Sequence, residues 1–231
     1  MILHIPHSST NTNNTEFDCD LDLELFRMTD IDTDKLFDYP GAVRVVLPVS
    51  RLICDVERFE NDNLEVMASK GMGVCYTTNS FGAKLRDVTA TERESILDSY
   101  YRPHHQALTY AVDLELKEKG SALVVDCHSF SNTPLPHEDS QETPRPDICI
   151  GTDSYHTSDD LRDIVLNYFT DCGYTVKVND PFVGTLIPMK HYRSDKRVSG
   201  IMIELNRDLY KKDFESVKQA VAGCLTTIKL H

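Results

Sequence analysis

The chain has 231 residues and carries 24 Lys and Arg against 37 Asp and Glu, which gives a formal charge of −13. Its length favours a single domain over residues 1–231, and a content of 40% hydrophobic and 26% charged residues argues against disorder over most of the chain. The acidic balance argues against binding to nucleic acid or to an anionic membrane surface, because both would repel it.

The cysteines and the N-terminus bear on the cellular compartment. The chain has 7 cysteines and no Cys-x-x-Cys pair, which indicates reduced thiols and a cytoplasmic location. The first residues lack the basic and apolar segments of a secretory signal, and no apolar run approaches the roughly 20 residues of a membrane span. We therefore expect a small-molecule partner, with no nucleic acid and no membrane, and an oligomeric state on which the sequence is silent.

Strands and helices alternate along the chain. Apolar residues at helical spacing predict helices over 89–119, 158–172 and 211–230, the first with capping residues before it. Short β-branched or apolar runs predict strands over 1–5, 42–47, 51–56, 122–126, 147–151, 174–178 and 200–206. Such alternation is typical of an α/β/α sandwich of three layers with a mixed or mostly parallel sheet.

Two polar stretches predict loops. Residues 11–20 are rich in Asn, Thr and Asp, and residues 131–146 hold four prolines among polar residues. A loop of this second length is unusual in a compact domain and is typical of a functional or mobile segment.

Polar side chains end four of the predicted strands. In open α/β sheets, ligands bind at the carboxyl ends of strands, so residues at these places are candidates for a functional site. The candidates are His7 after the first strand, Asp55, Glu57 and Arg58 after the third, Asp126, His128 and Ser129 after the fourth, and Glu204, Asn206 and Arg207 at the last.

These residue types are the parts of a hydrolytic zinc site. Two imidazoles and a carboxylate can bind zinc and leave one position for water, and a further carboxylate can take the proton of that water. Glu204 lies inside an apolar strand, where burial raises the pKa of a carboxyl group toward the range useful for a general base. Arginines can bind a substrate carboxylate through two parallel hydrogen bonds.

Each of these residues also has a purely structural interpretation. A His after a strand is more often a capping or core residue than a ligand. Asp55 or Glu57 can form an ordinary surface ion pair with Arg58, and Glu204 can form a structural pair with Arg207. Four charged strand ends in one chain are hard to explain by packing alone. Their combination favours a metal-dependent hydrolase.

Two pairs of neighbouring residues offer further alternatives. Ser129 or Cys127 beside His128 could act as a nucleophile, but the sequence contains no Gly-x-Ser-x-Gly elbow. His104 and His105 lie in the long predicted helix, where adjacent residues point about 100° apart, so that both cannot face one site.

Several short motifs occur in order along nearly the whole chain. They are Ile5-Pro-His7-Ser, Ser50-Arg-x-x-x-Asp55-x-Glu57-Arg58, Gly71…Gly82…Arg86, Tyr101-Arg-Pro-His-His105, Asp126-Cys-His128-Ser129, Asn179-Asp-Pro-Phe-x-Gly184 and Ile203-Glu204-x-Asn206-Arg207-x-x-Tyr210. Together they resemble the motifs of the N-formylglutamate amidohydrolase family. The resemblance covers residues 5–210, and the order of the motifs makes it specific.

The resemblance implies a phosphorylase/hydrolase-like sandwich similar to the zinc carboxypeptidases and aminoacylases. It implies one zinc ion bound by His7, His128 and a carboxylate. Asp55 is the expected carboxylate, because the family motif tolerates Asn at the position of Glu57, and Glu57 is the alternative.

The resemblance also implies an activity and further roles. The expected reaction is hydrolysis of the amide of an N-formyl or other N-acyl acidic amino acid, such as N-formylglutamate, by a metal-activated water. Glu204 is the expected general base and acid, and the expected substrate-binding residues are Arg58, Arg207, Asn206, Ser129 and His105.

Departures from the family pattern leave the substrate open. Gly184-Thr185 stands where members often have two glycines, and the Lys190-His-Tyr-Arg193 run is unusual. A pocket altered there would take another N-acyl amino acid or a small amide. The alternatives are a metal-free protein that binds a small carboxylate through Arg58 and Arg207, and a zinc peptidase of carboxypeptidase type.

Overall fold

One mixed β-sheet lies at the centre of the molecule. The computed structural model describes residues 1–229. Its strands are β1 (Ile2–Ile5), β2 (Val43–Val46), β3 (Ala122–Phe130), β4 (Ile148–Gly151), β5 (Val176–Val178) and β6 (Val198–Asn206). They lie in the order β2-β1-β3-β6-β4-β5; β4 runs antiparallel to β6, and the other neighbouring pairs are parallel. This confirms the predicted mixed sheet.

Helices cover both faces of the sheet. The α-helices of the described residues are α1 (Leu21–Met28), α2 (Thr33–Leu36), α3 (Ala90–Ile96), α4 (Arg102–Lys119), α5 (Asp159–Asp171), α6 (Arg207–Lys212) and α7 (Phe214–Lys229). Helix α4 packs on β1, β2 and β3 from one side, while α2, α5 and α7 contribute to the apolar cluster on the other side. The α/β/α sandwich is therefore confirmed. No helix in this part of the chain is long and apolar enough to cross a membrane.

The predicted helix over 89–119 is interrupted by one irregular turn. It begins at Thr89, whose side chain accepts from the Glu92 amide while the Glu92 carboxylate accepts from the Thr89 amide. A π-helical turn over Leu97–Tyr101 joins α3 to α4. The Tyr101 hydroxyl donates to the Arg58 carbonyl at 2.7 Å, which ties this helix to the segment that carries Asp55 and Glu57.

The predicted strand over 51–56 is wrong, because this segment forms turns. The amides of Ile53 and Cys54 both donate to the Ser50 carbonyl, which reverses the chain direction. The apolar side chains of the segment are nevertheless buried, in clusters that lie outside the sheet. In a sequence, a run of apolar residues buried in a strand cannot be distinguished from one buried in turns.

The helical predictions need two further corrections. The helix predicted over 211–230 is two helices, since Asp213 ends α6 and its carboxylate then accepts from the Ser216 amide at 3.1 Å in the first turn of α7. Leu230 lies outside the described residues. Helices α1 and α2 were not predicted, because both are short.

The two faces of the sheet differ in polarity toward the carboxyl ends of the central strands. On the face away from α4, Val125 and Ile203 belong to a buried apolar cluster. On the α4 face, the positions that alternate with them hold Asp126, His128 and Glu204. The polar site therefore lies on the α4 side, at the carboxyl ends of β1, β3 and β6.

Candidate active site

Strand register brings the polar residues of the α4 face together. His128 on β3 is the register partner of Glu204 on β6, and Asp126 is the partner of Met202 on β6 and of His4 on β1. Neighbouring strands lie about 4.8 Å apart, so partners on one face are in side-chain contact range. The proximity of His128 to Glu204 follows directly from this register.

His7 follows β1 and is oriented by Asp55. Its Nε2 donates to Asp55 Oδ1 at 2.9 Å, while its buried Nδ1 has no hydrogen-bond partner among residues 1–229. An imidazole that carries its proton on Nε2 has a lone pair on Nδ1. The structure therefore presents His7 Nδ1 as an atom available to a metal ion.

Asp55, the carboxylate expected to bind the metal, is already fully hydrogen-bonded. Its Oδ1 accepts from His7 and from the Glu57 amide, and its Oδ2 accepts from Arg51 at 2.8 Å and from the Tyr76 hydroxyl at 2.6 Å. Burial acts against ionisation, but the Arg51 charge and the other donors hold the pKa of Asp55 well below its usual range. The geometry assigns Asp55 the orientation of His7 and leaves it no lone pair for a metal.

His128 lies between carboxylates on both sides of its ring. Its Nδ1 donates to Asp30 Oδ2 at 3.2 Å, and its Nε2 lies 3.1 Å from Glu57 Oε1 and 3.0 Å from Asp126 Oδ1. Although burial opposes it, the charges of Glu57 and Asp126 hold the pKa of His128 well above its ordinary value. These carboxylates favour a positive charge at this point, whether a proton or a bound cation.

His7, Glu57 and His128 form a group that can hold a metal ion. One ligand atom from each of them lies within 4.8 Å of the other two. Two imidazoles and one glutamate are a common ligand set of catalytic zinc, in which the fourth position is left for water. Glu57, the alternative carboxylate from the sequence, fits this position better than Asp55 does.

His4 and His104 form a buried pair behind this group that was not predicted. His4 Nδ1 donates to Asp126 Oδ1 at 2.7 Å, and His4 Nε2 lies 2.9 Å from His104 Nε2. Burial lowers the pKa of His104 to about 2, so its imidazole is neutral. His4, Glu57 and Asp126 also bring ligand atoms within 4.8 Å of one another.

Glu204 is a buried carboxyl group that lacks a partner. Its Oε2 makes no hydrogen bond within the described part of the chain. Burial raises the pKa of Glu204 to about 8; His128 opposes this shift, while Asp30 and Glu57 add to it. A carboxyl group with a pKa near neutrality is suited to exchange a proton with a reactant.

Arg207, expected to bind substrate, is fully engaged by the protein. Its guanidinium donates to the hydroxyl and carbonyl of Ser129, to the carbonyls of Phe26 and Arg27, and to Asp30 Oδ1. A guanidinium has five N–H donors, and these contacts use all of them. These contacts hold Ser129 and Asp30 in place, and substrate binding by Arg207 stays a prediction.

Asn206 also makes structural contacts, and its expected contact with substrate stays a prediction. Its Oδ1 accepts from the Asp208 amide at 3.1 Å, which caps α6, and its Nδ2 donates to the Pro146 carbonyl at 3.1 Å. Ser129 does line the cavity described below, with its Oγ 3.1 Å from the Tyr210 hydroxyl.

Two other arginines keep donors that the protein does not use. Arg58 donates through Nε to the Met72 carbonyl at 3.2 Å, and its Nη2 lies 3.6 Å from Asp55 Oδ2. Arg51 donates from Nη2 to Asp55, and its buried Nε has no partner within residues 1–229. Arg58 was predicted from its position; Arg51 was not, and its only signal was its place in the same motif.

Two cavities meet at Glu57. The first, of about 620 Å³, is called the arginine cavity and is lined by Arg51, Arg58, His128, Glu204 and part of the 131–146 loop. The second, of about 370 Å³, is called the apolar cavity and is lined largely by Phe59, Tyr101, Val183, Ile187, Met189 and Tyr192. Glu57, Arg58, Val183 and Met202 line both cavities.

His105 lies on the side of the apolar cavity. Its Nε2 is 2.9 Å from the Val56 carbonyl, and its ring centroid is 4.3 Å from that of Tyr101. Burial lowers the pKa of His105 to about 4, so the neutral ring donates to the Val56 carbonyl. This contact holds the turn that presents Glu57.

Asp30 is a site residue that was not predicted. Its Oδ1 accepts from Arg207 at 2.9 Å, and its Oδ2 accepts from His128 and lies 3.6 Å from His7 Nδ1. Burial acts against it, but the hydrogen bond from His128 and the charge of Arg207 keep the pKa of Asp30 well below its usual range. Asp30 lies in the connection after α1, and the helix that places it was itself not predicted.

Comparisons with known proteins identify relatives of this chain. The sequence model of the N-formylglutamate amidohydrolase family matches residues 1–211. An N-formylglutamate amidohydrolase from Ralstonia eutropha has a similar structure, with a TM-score of 0.81 and 21% identity over 99% of this chain and 91% of that one. A gene product of Agrobacterium tumefaciens is similar over the same shares, with a TM-score of 0.67 and 18% identity. No curated protein matches the sequence.

Proposed function

The chain belongs to the N-formylglutamate amidohydrolase family, and from this premise we propose that it hydrolyses the amide bond of an N-acylated acidic amino acid. N-formylglutamate is one such substrate. The proposal includes a divalent metal ion, zinc by its ligand set, held by His7, Glu57 and His128. The main support for this metal site is the buried Nδ1 of His7, which makes no hydrogen bond within residues 1–229 and faces Glu57 and His128.

The residues present fit a metal ion. His7 donates its N–H from Nε2 to Asp55, and His128 donates its N–H from Nδ1 to Asp30. Each imidazole therefore turns its other nitrogen toward Glu57, 3.8 Å away from His7 Nδ1 and 3.1 Å away from His128 Nε2. Carboxylates behind ligating histidines fix the ring orientation and raise the basicity of the ligand.

Glu204 supplies the proton transfers of the proposed reaction. A bound divalent ion would supply a water of lowered pKa and would polarise the amide carbonyl. Glu204, next to His128 in the sheet and with a free carboxylate oxygen, accepts the proton of the attacking water. It then passes that proton to the nitrogen of the leaving amine, which completes the cleavage of the C–N bond.

The arginine cavity provides the recognition of an acidic substrate. Arg51 and Arg58 line it together with Glu204 and His128, so a carboxylate bound by the arginines lies near the catalytic groups. Charge-assisted hydrogen bonds from guanidinium groups are among the strongest contacts that a carboxylate can make. These guanidinium groups offer an anionic substrate local partners in a protein whose overall charge is −13.

The proposal is tested by hydrolysis of N-formylglutamate by the purified protein, measured as release of formate and glutamate. We expect turnover that a chelator removes and that added zinc restores. His128→Ala should lose activity and bound metal together, whereas Tyr110→Ala, on an exposed part of α4, should retain both. Full activity in the chelator, or in His128→Ala, would contradict the metal-dependent reaction.

A further inference from the structure

Most of the apolar cavity has no part in the proposed binding of a formyl group and a carboxylate. It shares Glu57 with the arginine cavity, and its volume of about 370 Å³ is within the range of a complete small-ligand site. A formyl group consists of one carbon and one oxygen and would leave nearly all of this space empty.

The mouth of this cavity exposes an unusual amount of apolar surface. Val183 is 71% exposed, Met189 is 66% exposed and Phe59 is 48% exposed, and all three line the cavity. Clustered exposed apolar side chains on a soluble domain mark places where an apolar partner or ligand binds.

The wall formed by residues 183–187 is held closely against the sheet. A Cβ at Gly151 would lie 2.3 Å from the Gly184 carbonyl oxygen, and a Cβ at Gly200 would lie 2.5 Å from Ile187 Cδ1. The Leu186 amide donates to Asp126 Oδ2 at 2.8 Å. The sheet thus has glycines at two points where this segment packs on it. The position of the cavity wall therefore depends on close packing that a larger residue at either point would prevent.

The polar groups at the inner end of the cavity are already satisfied. Asp126 accepts from His4 through Oδ1 and from Leu186 through Oδ2. The neutral His105 is engaged with the Val56 carbonyl. The cavity therefore offers an incoming group mainly apolar contacts, apart from those at Glu57 and Arg58, which border both cavities.

We propose that the apolar cavity binds the acyl part of the substrate, and that this acyl group is an apolar chain of several carbons. The inference rests on the proposed amidohydrolase function. An amide cleaved beside Glu57 has two sides, and the arginine cavity takes the side that carries the carboxylate. The acyl side then extends past Glu57 and Met202 into the apolar cavity, where burial of methylene groups stabilises its binding.

A series of N-acylglutamates with formyl, acetyl, butyryl and hexanoyl groups tests this assignment. We expect kcat/KM to rise along the series by at least about tenfold from formyl to hexanoyl, since one methylene in an apolar pocket is worth roughly that factor. A maximum at formyl, with a decline toward hexanoyl, would overturn the assignment while leaving the proposed function intact.

A matched pair of surface variants tests whether the cavity causes the preference. Met189→Glu places a charge at the cavity mouth and should lower the ratio of hexanoyl to formyl kcat/KM by about tenfold. Leu64→Glu changes a residue of nearly equal exposure, 64%, outside both cavities and should leave the ratio unchanged. Equal ratios in the two variants would overturn the role of the cavity.

Binding without turnover separates the two proposals. In Glu204→Gln saturated with zinc, calorimetry should show at least about tenfold tighter binding of N-hexanoylglutamate than of N-formylglutamate. Equal binding of the two ligands would overturn the acyl assignment alone. If neither ligand binds and the wild type hydrolyses neither, the proposed function fails and the acyl assignment fails with it.

Discussion

His128 and Glu204 are register partners at the carboxyl ends of β3 and β6, one row of side chains beyond the partners Asp126 and Met202. The outer row places an imidazole beside a carboxyl group, and both line the arginine cavity. In the inner row, Asp126 lines the apolar cavity and Met202 lines both. Of these two rows, the outer one therefore lines the arginine cavity alone, and the inner one reaches the apolar cavity.

Glu204→Gln should remove most of the activity without removing the metal. The amide cannot accept a proton, and loss of a general base or acid lowers the rate by about 10²- to 10⁴-fold. We expect a fall in kcat of that order on N-formylglutamate, with zinc content equal to that of the wild type. Activity within a factor of about three of the wild type would show that another group moves the proton.

The stability of the metal-stripped protein should depend on pH through Glu204. The pKa of Glu204 is about 8 in the folded protein, against an ordinary 4.5, so the folded state binds this proton more tightly than the unfolded state. Its contribution is fully present below about pH 4.5 and is lost as the pH rises through about 8. Glu204→Gln lacks this loss and should gain in melting temperature over the wild type between pH 5 and about pH 9. If the melting temperatures of the wild type and of Glu204→Gln, both measured in a chelator, change with pH in parallel, the raised pKa of Glu204 is contradicted.

Asp55→Asn should weaken metal binding without abolishing it. Loss of a carboxylate behind a ligating His typically lowers metal affinity about 10- to 100-fold, because the orientation of the ring is less well fixed. We expect a competition titration to show weaker zinc binding that still reaches the wild-type stoichiometry at saturation. A folded variant that holds no zinc at any concentration would restore Asp55 as a ligand.

Arg58 and Arg207 should respond differently to truncation. Arg58→Ala removes donors that face the substrate and should raise KM for N-formylglutamate about 10- to 100-fold with a smaller change in kcat. Arg207→Ala leaves Asp30 buried without its cation and should destabilise the fold by about 3–5 kcal/mol. The measurements are steady-state kinetics and urea unfolding. A KM effect at Arg207 in a stable variant, with none at Arg58, would reverse the two assignments.

The architecture could be predicted from the sequence because its signals are local. The capping pair of Thr89 and Glu92 and the apolar runs of β3 and β6 indicate elements that the structure contains. Glu204 and His128 could be found as candidates because charged residues that follow or interrupt apolar strands are conspicuous.

The division of roles within the site depends on distant contacts and could not be predicted. Asp55 and Glu57 lie two residues apart in one motif, and only the donors from Arg51 and Tyr76 show that Asp55 has no free lone pair. Arg207 could be identified as a candidate, but the carbonyls that engage it come from α1, about 180 residues earlier in the chain.

The metal content of the wild type and of Glu57→Gln, measured by elemental analysis after both are loaded with zinc and desalted, decides whether Glu57 helps to hold a metal ion. We expect about one zinc ion per chain in the wild type and less than about a tenth in Glu57→Gln, because the amide is a poor zinc ligand and only two imidazoles remain. A wild type that binds no zinc, or a Glu57→Gln variant that retains a full equivalent, would contradict this expectation.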